Sequence, residues 1–144
     1  MFSQTIQYAI RAVVMLSYEE KGVALGNGIL AHRTKIPTSY LSKVMQGLVK
    51  SGIVESRRGV GGGFRLCQPP SKITLLDVVN AVEPLPRIKG CPLGLKSHGS
   101  MLCSVHASLD EAMAEVERVL SCSTIADLIA EPSRPRPLLE TVAY

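Results

Sequence analysis

A chain of 144 residues can hold one hydrophobic core, or a small domain with an assembly element attached. Hydrophobic residues are 46% of it, aromatics only 4%, and there is no Trp. That points to an aliphatic, mostly helical core; no apolar run approaches a membrane span and the amino terminus lacks a charged-then-apolar leader, so a cytoplasmic protein without membrane contact is expected. The formal charge of +4 is unevenly shared: residues 1–72 hold ten Lys or Arg against three Glu, residues 73–144 six against nine Asp or Glu. The first half therefore suits phosphates and the second another protein, although charge alone sets only non-specific attraction.

In chain order, residues 3–20 carry Ile6, Ile10, Val13 and Ser17 in helical register, with Ala9 and Val14 widening the stripe, and Gly22 closes the helix. Arg11 on it is expected to be solvated rather than to approach a nucleic-acid backbone. Ile29 to Thr34 is weakly periodic, but its position before Lys35, Ile36 and Pro37 makes it the first helix of a helix-turn-helix. His32 and Arg33 near its end suit the helix dipole and are assigned no chemistry.

The stretch 37–66, PTSYLSKVMQGLVKSGIVESRRGVGGGFRL, is the most informative. Leu41, Val44, Met45 and Leu48 form a buried helical stripe, which leaves Ser39, Tyr40, Ser42, Lys43, Gln46 and Lys50 on a polar, basic open face. One of Thr38 and Ser39 is expected to be the N-cap. Gly52 followed by Ile53 fits a left-handed helix stop. Ile53 to Arg57 and Phe64 to Cys67 are β-prone runs joined by Arg58, Gly59, Val60 and three further glycines, a hairpin with two arginines at its base. A helix, a glycine stop and a basic hairpin make a winged helix, whose helix enters the major groove while the wing reaches the neighbouring backbone. The glycines are not a phosphate-binding loop, since no helix start and no Gly-Lys-Ser/Thr follows them.

Pro69 and Pro70 punctuate the chain before a helix over Thr74 to Val82 that buries Leu75, Val78, Val79 and Val82; Pro84 and Pro86 end it. Arg87 to Met101 is an aperiodic loop, long enough to be functional. From Ser104 a long helix sets Leu109, Ala112, Met113, Val116, Val119 and Leu120 opposite Asp110, Glu111, Glu115, Glu117 and Arg118. Those carboxylates read as a solvated face, and the apolar stripe needs a partner, most simply a two-fold mate. Thr124 and Asp127 open a short last helix, IADLIA, with a capping box, and the proline-bearing tail is expected to be mobile. The expected divisions are a winged-helix domain at 1–68, a connecting helix at 69–86, a sensor loop at 87–103, the dimerisation and terminal helices at 104–130 and the tail at 131–144. Overall this is a mainly α chain with a small β-hairpin, a winged helix-turn-helix followed by a long C-terminal dimerisation helix. No Ser/His/Asp set, nucleotide loop or pocketed carboxylate pair argues for an enzyme.

IPTSYLSKVMQGLVKSGIVESRRGVGGGFRL followed by ITLLDVVNAVEP closely resembles the Rrf-two family of bacterial winged-helix transcription regulators, over about Ser3 to Leu128. The RGxGGGF hairpin is its most specific part. The resemblance implies a homodimer formed through the long helix, with two recognition helices in successive major grooves of an imperfect palindrome of double-stranded DNA. Ser39, Tyr40, Ser42, Lys43, Gln46, Lys50, Arg57, Arg58 and Gly59 are the candidate DNA-contacting residues, Arg58 reaching the minor groove or backbone. Repression, or less often activation, switched by the state of the loop, is the expected mode.

Four cysteines in a cytoplasmic chain argue for thiols or metal ligands rather than disulfides. Cys91, His98, Cys103 and His106 in CPLGLKSHGSMLCSVH are able to bind a soft or borderline metal. In the family's cluster-binding members three cysteines occupy this loop; Cys91 and Cys103 match the outer two, Ser97 stands midway, and Gln7 stands where some members supply an acid. Three readings stay open: a cluster, [2Fe-2S] first, on Cys91, Cys103 and one or both histidines; zinc on all four; or no metal, with control by a protein partner or small effector. Cys67 and Cys122 read as small packing residues.

Overall fold

The computed structural model describes residues 2–139. Among them the helices are α1 (Gln4–Ser17), α2 (Asn27–Thr34), α3 (Thr38–Lys50), α4 (Leu75–Val82), α5 (Ser104–Cys122) and α6 (Ile125–Ala130). Strands β1 (Val54–Arg57) and β2 (Gly63–Leu66) pair antiparallel, and short 3-10 turns lie at Pro70–Lys72 and Lys96–His98. This is the mainly helical winged-helix architecture expected.

The Ser3 hydroxyl oxygen caps α1, accepting from the Ile6 N–H at 3.2 Å. The helix buries Ile6, Ala9, Val13 and Val14 as expected and also Tyr8, Ala12, Met15 and Leu16, whereas Ile10 is half-buried. It stops at Ser17, short of the expected residue 20, because the Tyr18 N–H turns back to the Met15 carbonyl at 3.3 Å. That i to i−3 bond tightens and ends the last turn. The next helix, α2, begins at Asn27, ahead of the expected Ile29, and ends on Lys35 in a left-handed conformation, φ 55°.

The buried stripe of α3 is Leu41, Val44, Met45 and Leu48. Its N-cap is neither Thr38 nor Ser39 but Pro37, which has no side-chain cap bond. Thr38 and Ser39 already lie inside the first turn, and the Pro37 carbonyl accepts from the Tyr40 and Leu41 N–H groups at 3.0 and 2.9 Å. At the other end the Gly52 N–H reaches the Val49 carbonyl at 3.0 Å and the Ile53 N–H reaches Leu48 at 3.1 Å, with Gly52 at φ 78°. These are the two bonds of a Schellman stop, which turns the chain straight into β1.

The hairpin register is Val54↔Leu66, Glu55↔Arg65, Ser56↔Phe64 and Arg57↔Gly63. Leu25 and Phe64 exchange two backbone hydrogen bonds, at 2.9 and 2.8 Å, so the segment before α2 meets β2 in an isolated antiparallel bridge. Gly63 makes this possible: a Cβ there would lie 2.3 Å from the Leu25 carbonyl oxygen.

Thr74 and Asp77 form a capping box at the start of α4, which buries Val78 and Val79; Leu75 and Val82, expected buried, are half-buried. The helix α4 touches α1, α3 and α5. A Cβ on Gly47 of α3 would lie 2.9 Å from the Ala81 carbonyl oxygen, so the glycine sets how closely α4 approaches. No residue of α5 is fully buried, and its principal neighbour is α4. Beyond α5 the chain returns to the core. The Leu75 N–H donates to the Ser123 carbonyl at 2.9 Å, the Ile125 N–H donates to Ile73 at 2.8 Å, and Ile125 is fully buried with the N-terminal helices. The expected Thr124–Asp127 capping box opens α6. In the tail, expected mobile, the Tyr18 hydroxyl donates to the Pro137 carbonyl at 2.8 Å; residues 140–144 of that expectation lie outside the described residues.

Candidate nucleic-acid interface and thiol loop

On α3 the side chains of Ser39, Ser42, Lys43, Gln46 and Lys50 are exposed, as are Arg57, Arg58 and Gly59 at the end of β1 and on the wing. Among the described residues Lys43, Lys50, Arg57 and Arg58 make no ion pair, whereas Arg33, Arg65, Arg87 and Arg118 are each matched to carboxylates. With no carboxylate beside them, these four cations on one helix and one hairpin keep their attraction for an anionic partner undiminished. Ser42 spends its hydroxyl proton within α3, donating to the Thr38 carbonyl at 3.1 Å.

Tyr40 departs from the expected open face. It is half-buried and meets Tyr8 edge to face, ring centroids 5.4 Å apart, so helical spacing alone misassigned an aromatic that packs back onto α1. Arg11 departs too: it is not merely solvated, since its guanidinium lies 5.2 Å from the Tyr8 ring centroid and donates to the Thr34 carbonyl at 3.1 Å. Arg11 thus satisfies a carbonyl at the end of α2 and braces the turn into α3. His32 is exposed, and Arg33 pairs with Glu19 at 2.6 Å.

The loop after α4 is tied to α5 at its stem. Arg87 makes a two-pronged contact with Asp110, at 2.7 Å on each prong, and reaches Glu117 at 2.8 Å, while the Ile88 N–H donates to Asp110 at 2.8 Å. The expectation of a wholly solvated acidic face is therefore corrected for these two carboxylates. Seven residues apart, they sit two turns along one side of α5 and face a cation that arrives from outside the helix. The hydrogen bonds from Arg87, and then from Ile88, hold the Asp110 carboxyl down at about 2 and push the guanidinium pKa up. Only the spacing of Asp110 and Glu117 hinted at this in the sequence; their partner Arg87 lies in a loop without periodicity.

The four candidate ligands fall into two thiol–imidazole pairs. The Cys103 sulfur lies 3.3 Å from Nδ1 of His106, one turn into α5. Cys91 stands with His98: the backbone N–H groups of Leu95 and then Leu93, with His98 after them, hold its thiol below the ordinary range. Nδ1 of His98 is buried without a hydrogen-bond partner among the described residues. The donor chemistry suits an iron–sulfur cluster or zinc, but among the described residues no three such groups stand close enough together to hold one metal ion. The pairs as arranged do not make a single ligand set. Cys67 and Cys122, expected as packing residues, are both exposed, at the end of the hairpin and in the last turn of α5. Desolvation and then Glu55 push the Cys67 thiol up.

Comparison with known proteins gives the same picture from another direction. Residues 2–131 match the family Rrf2, described as an iron-dependent transcriptional regulator. The transcriptional regulator NsrR of Geobacillus kaustophilus, of helix-turn-helix type, is 30% identical over 139 residues, covering 93% of this chain and 92% of that protein. Among solved structures, CymR, the global cysteine regulator of B. subtilis, superposes with a TM-score of 0.71 at 21% identity, over 89% of this chain and 95% of that one. IscR of T. potens superposes with a TM-score of 0.75 at 22% identity, over 94% and 91%. With a family match over nearly the whole length and the winged helix in place, the chain belongs to the Rrf2 family of transcriptional regulators.

Proposed function

We propose that the protein is a dimeric, sequence-specific DNA-binding repressor of the cytoplasm whose affinity for its operator is set by the state of the loop from Cys91 to His106. The observation that carries the DNA reading is the unmatched basic surface formed by Lys43 and Lys50 on α3 with Arg57 and Arg58 on the hairpin. Ser39 and Gln46 supply hydrogen-bonding groups for base edges on the same helix face, Ser42 offers only its acceptor lone pairs, Gly59 lets the wing backbone come close to a phosphate, and Tyr40 backs the helix from inside. Repression follows from occupancy: a dimer bound over a promoter excludes polymerase and needs no further contact surface.

Dimerisation is supported by α5, where Val105, Leu109 and Val119 are 64%, 53% and 48% exposed. Apolar surface of this extent on a long helix is costly in water and is relieved by a second copy, as the sequence reading implies. Sensing at the loop is supported by two thiols each beside an imidazole, with Cys91 biased toward thiolate. Because Cys91 and His98 stand apart from Cys103 and His106 as a second pair, no step of the mechanism is routed through a bound metal.

The deciding experiment is purification without oxygen, followed by iron, sulfide and zinc analysis, sedimentation, and operator titration over a range of salt. Dimers whose DNA affinity falls steeply with salt are expected. A sulfide-bearing chromophore lost on Cys91→Ala would assign a cluster to the loop, and stoichiometric zinc would assign zinc. Metal-free protein that still binds DNA would move control to a protein partner or small effector. Affinity indifferent to salt would overturn the reading of the basic surface.

A further inference from the structure

One apolar side chain on the wing packs into no core. Val60 stands at the hairpin apex, 110% exposed, as open to water as in an extended peptide. Gly59 and Gly61 flank it at φ 93° and 73°. The turn closes through the Gly62 N–H donating to the Gly59 carbonyl at 3.0 Å, and a Cβ on Gly62 would lie 2.4 Å from the Arg57 carbonyl oxygen. The tip therefore folds with glycines around a single side chain. Its stem is braced, by the ladder running out to Arg57↔Gly63 and by the paired hydrogen bonds between Leu25 and Phe64.

A lone exposed valine on an ordinary surface needs no explanation. This one is carried forward on a braced stem, with no neighbouring side chain at the tip, directly after two unmatched arginines, and their charge selects its partner. We propose that Val60 is a DNA-contacting residue that packs against the deoxyribose walls of the minor groove while Arg57 and Arg58 hold the flanking phosphates. The inference rests on the DNA-binding reading above and assigns to the wing a contact of a different physical kind. The sugar edges are the apolar part of the groove, and a narrow groove, as in A·T-rich tracts, brings both walls against one side chain where a wide groove leaves it wet. Val60 thus contributes a preference for groove width without a base hydrogen bond. Its contact displaces no counterion and adds affinity without adding salt dependence.

The test is selection from a pool of randomised duplexes by the full-length wild type, Val60→Ser and Val60→Leu, followed by titration of the wild-type selected duplex at several salt concentrations. Val60→Ser should bind about three- to tenfold more weakly with an unchanged salt slope. Its own selected sites should keep the half-sites and lose the A·T enrichment beside them, and Val60→Leu should retain both. Wild-type affinity and flanking preference in Val60→Ser, or an altered salt slope, would overturn the inference while leaving the DNA-binding reading intact. Failure of the wild type to enrich any duplex would overturn that reading, and the inference with it.

Discussion

Lys43 and Arg58 have no carboxylate partner among the described residues, unlike Arg33, Arg65, Arg87 and Arg118. Replacing either by Ala removes no contact from the fold, so stability and assembly should be unchanged. If each meets a phosphate, Lys43→Ala and Arg58→Ala should weaken DNA binding and lower the slope of log affinity against log salt by about 1 apiece, measured by anisotropy titration. Equal slopes in wild type and variants would remove these residues from the interface. At this scale the candidate face was largely legible, because a stripe of Leu41, Val44, Met45 and Leu48 leaves only one way for Lys43, Gln46 and Lys50 to point. Tyr40 was not legible: a tyrosine at the edge of the stripe can face either way, and Tyr8 on another helix decides it.

At the scale of elements, α5 is held to the rest of the chain at its carboxyl end and along its middle. Its carboxyl end meets the core through the backbone bonds of Ser123 and Ile125, and the stem of the thiol loop is tied to its middle two turns by Arg87. Changes at Cys91 therefore act on a segment whose root is fixed to the helix four residues earlier. The strength of that tie depends on acid in a definite direction. Asp110 is ordinarily half-protonated near 3.8 and is held down to about 2 in the folded chain. A carboxyl with a depressed pKa contributes its stabilisation above the unfolded value and loses it as pH falls through the folded one. Amide exchange at Ile88 should therefore be slower in wild type than in Asp110→Asn above about pH 4, and the two should converge as pH falls toward about 2. An Ile88 amide equally exposed in both at neutral pH would show that the stem is not held by this contact.

For the molecule as a whole, the unexpected feature is that α6 belongs with the N-terminal helices. Ile125 is fully buried in their core although it follows the long exposed α5 by three residues. Ile125→Ala should cost about 2 to 5 kcal/mol in chemical denaturation, as large-to-small core changes do. The loss should appear in the transition of the winged-helix half, distant in sequence. A cost under about 0.5 kcal/mol, the range of surface substitutions, would mean that α6 packs only loosely.

The sequence by itself determined what depends on local spacing: the Gly52 stop of α3, the Thr124–Asp127 capping box, the hydrophobic stripes, the basic hairpin and the charge split between halves. These are readable because each is dictated by neighbours within a turn or a strand. Only the tertiary structure decided which side chains meet across long separations: Arg11 with Thr34, Arg87 with Asp110 and Glu117, Ile125 with the first helices, and the division of four ligand candidates into two pairs. Such contacts depend on the relative placement of packed elements, and no local periodicity encodes that placement.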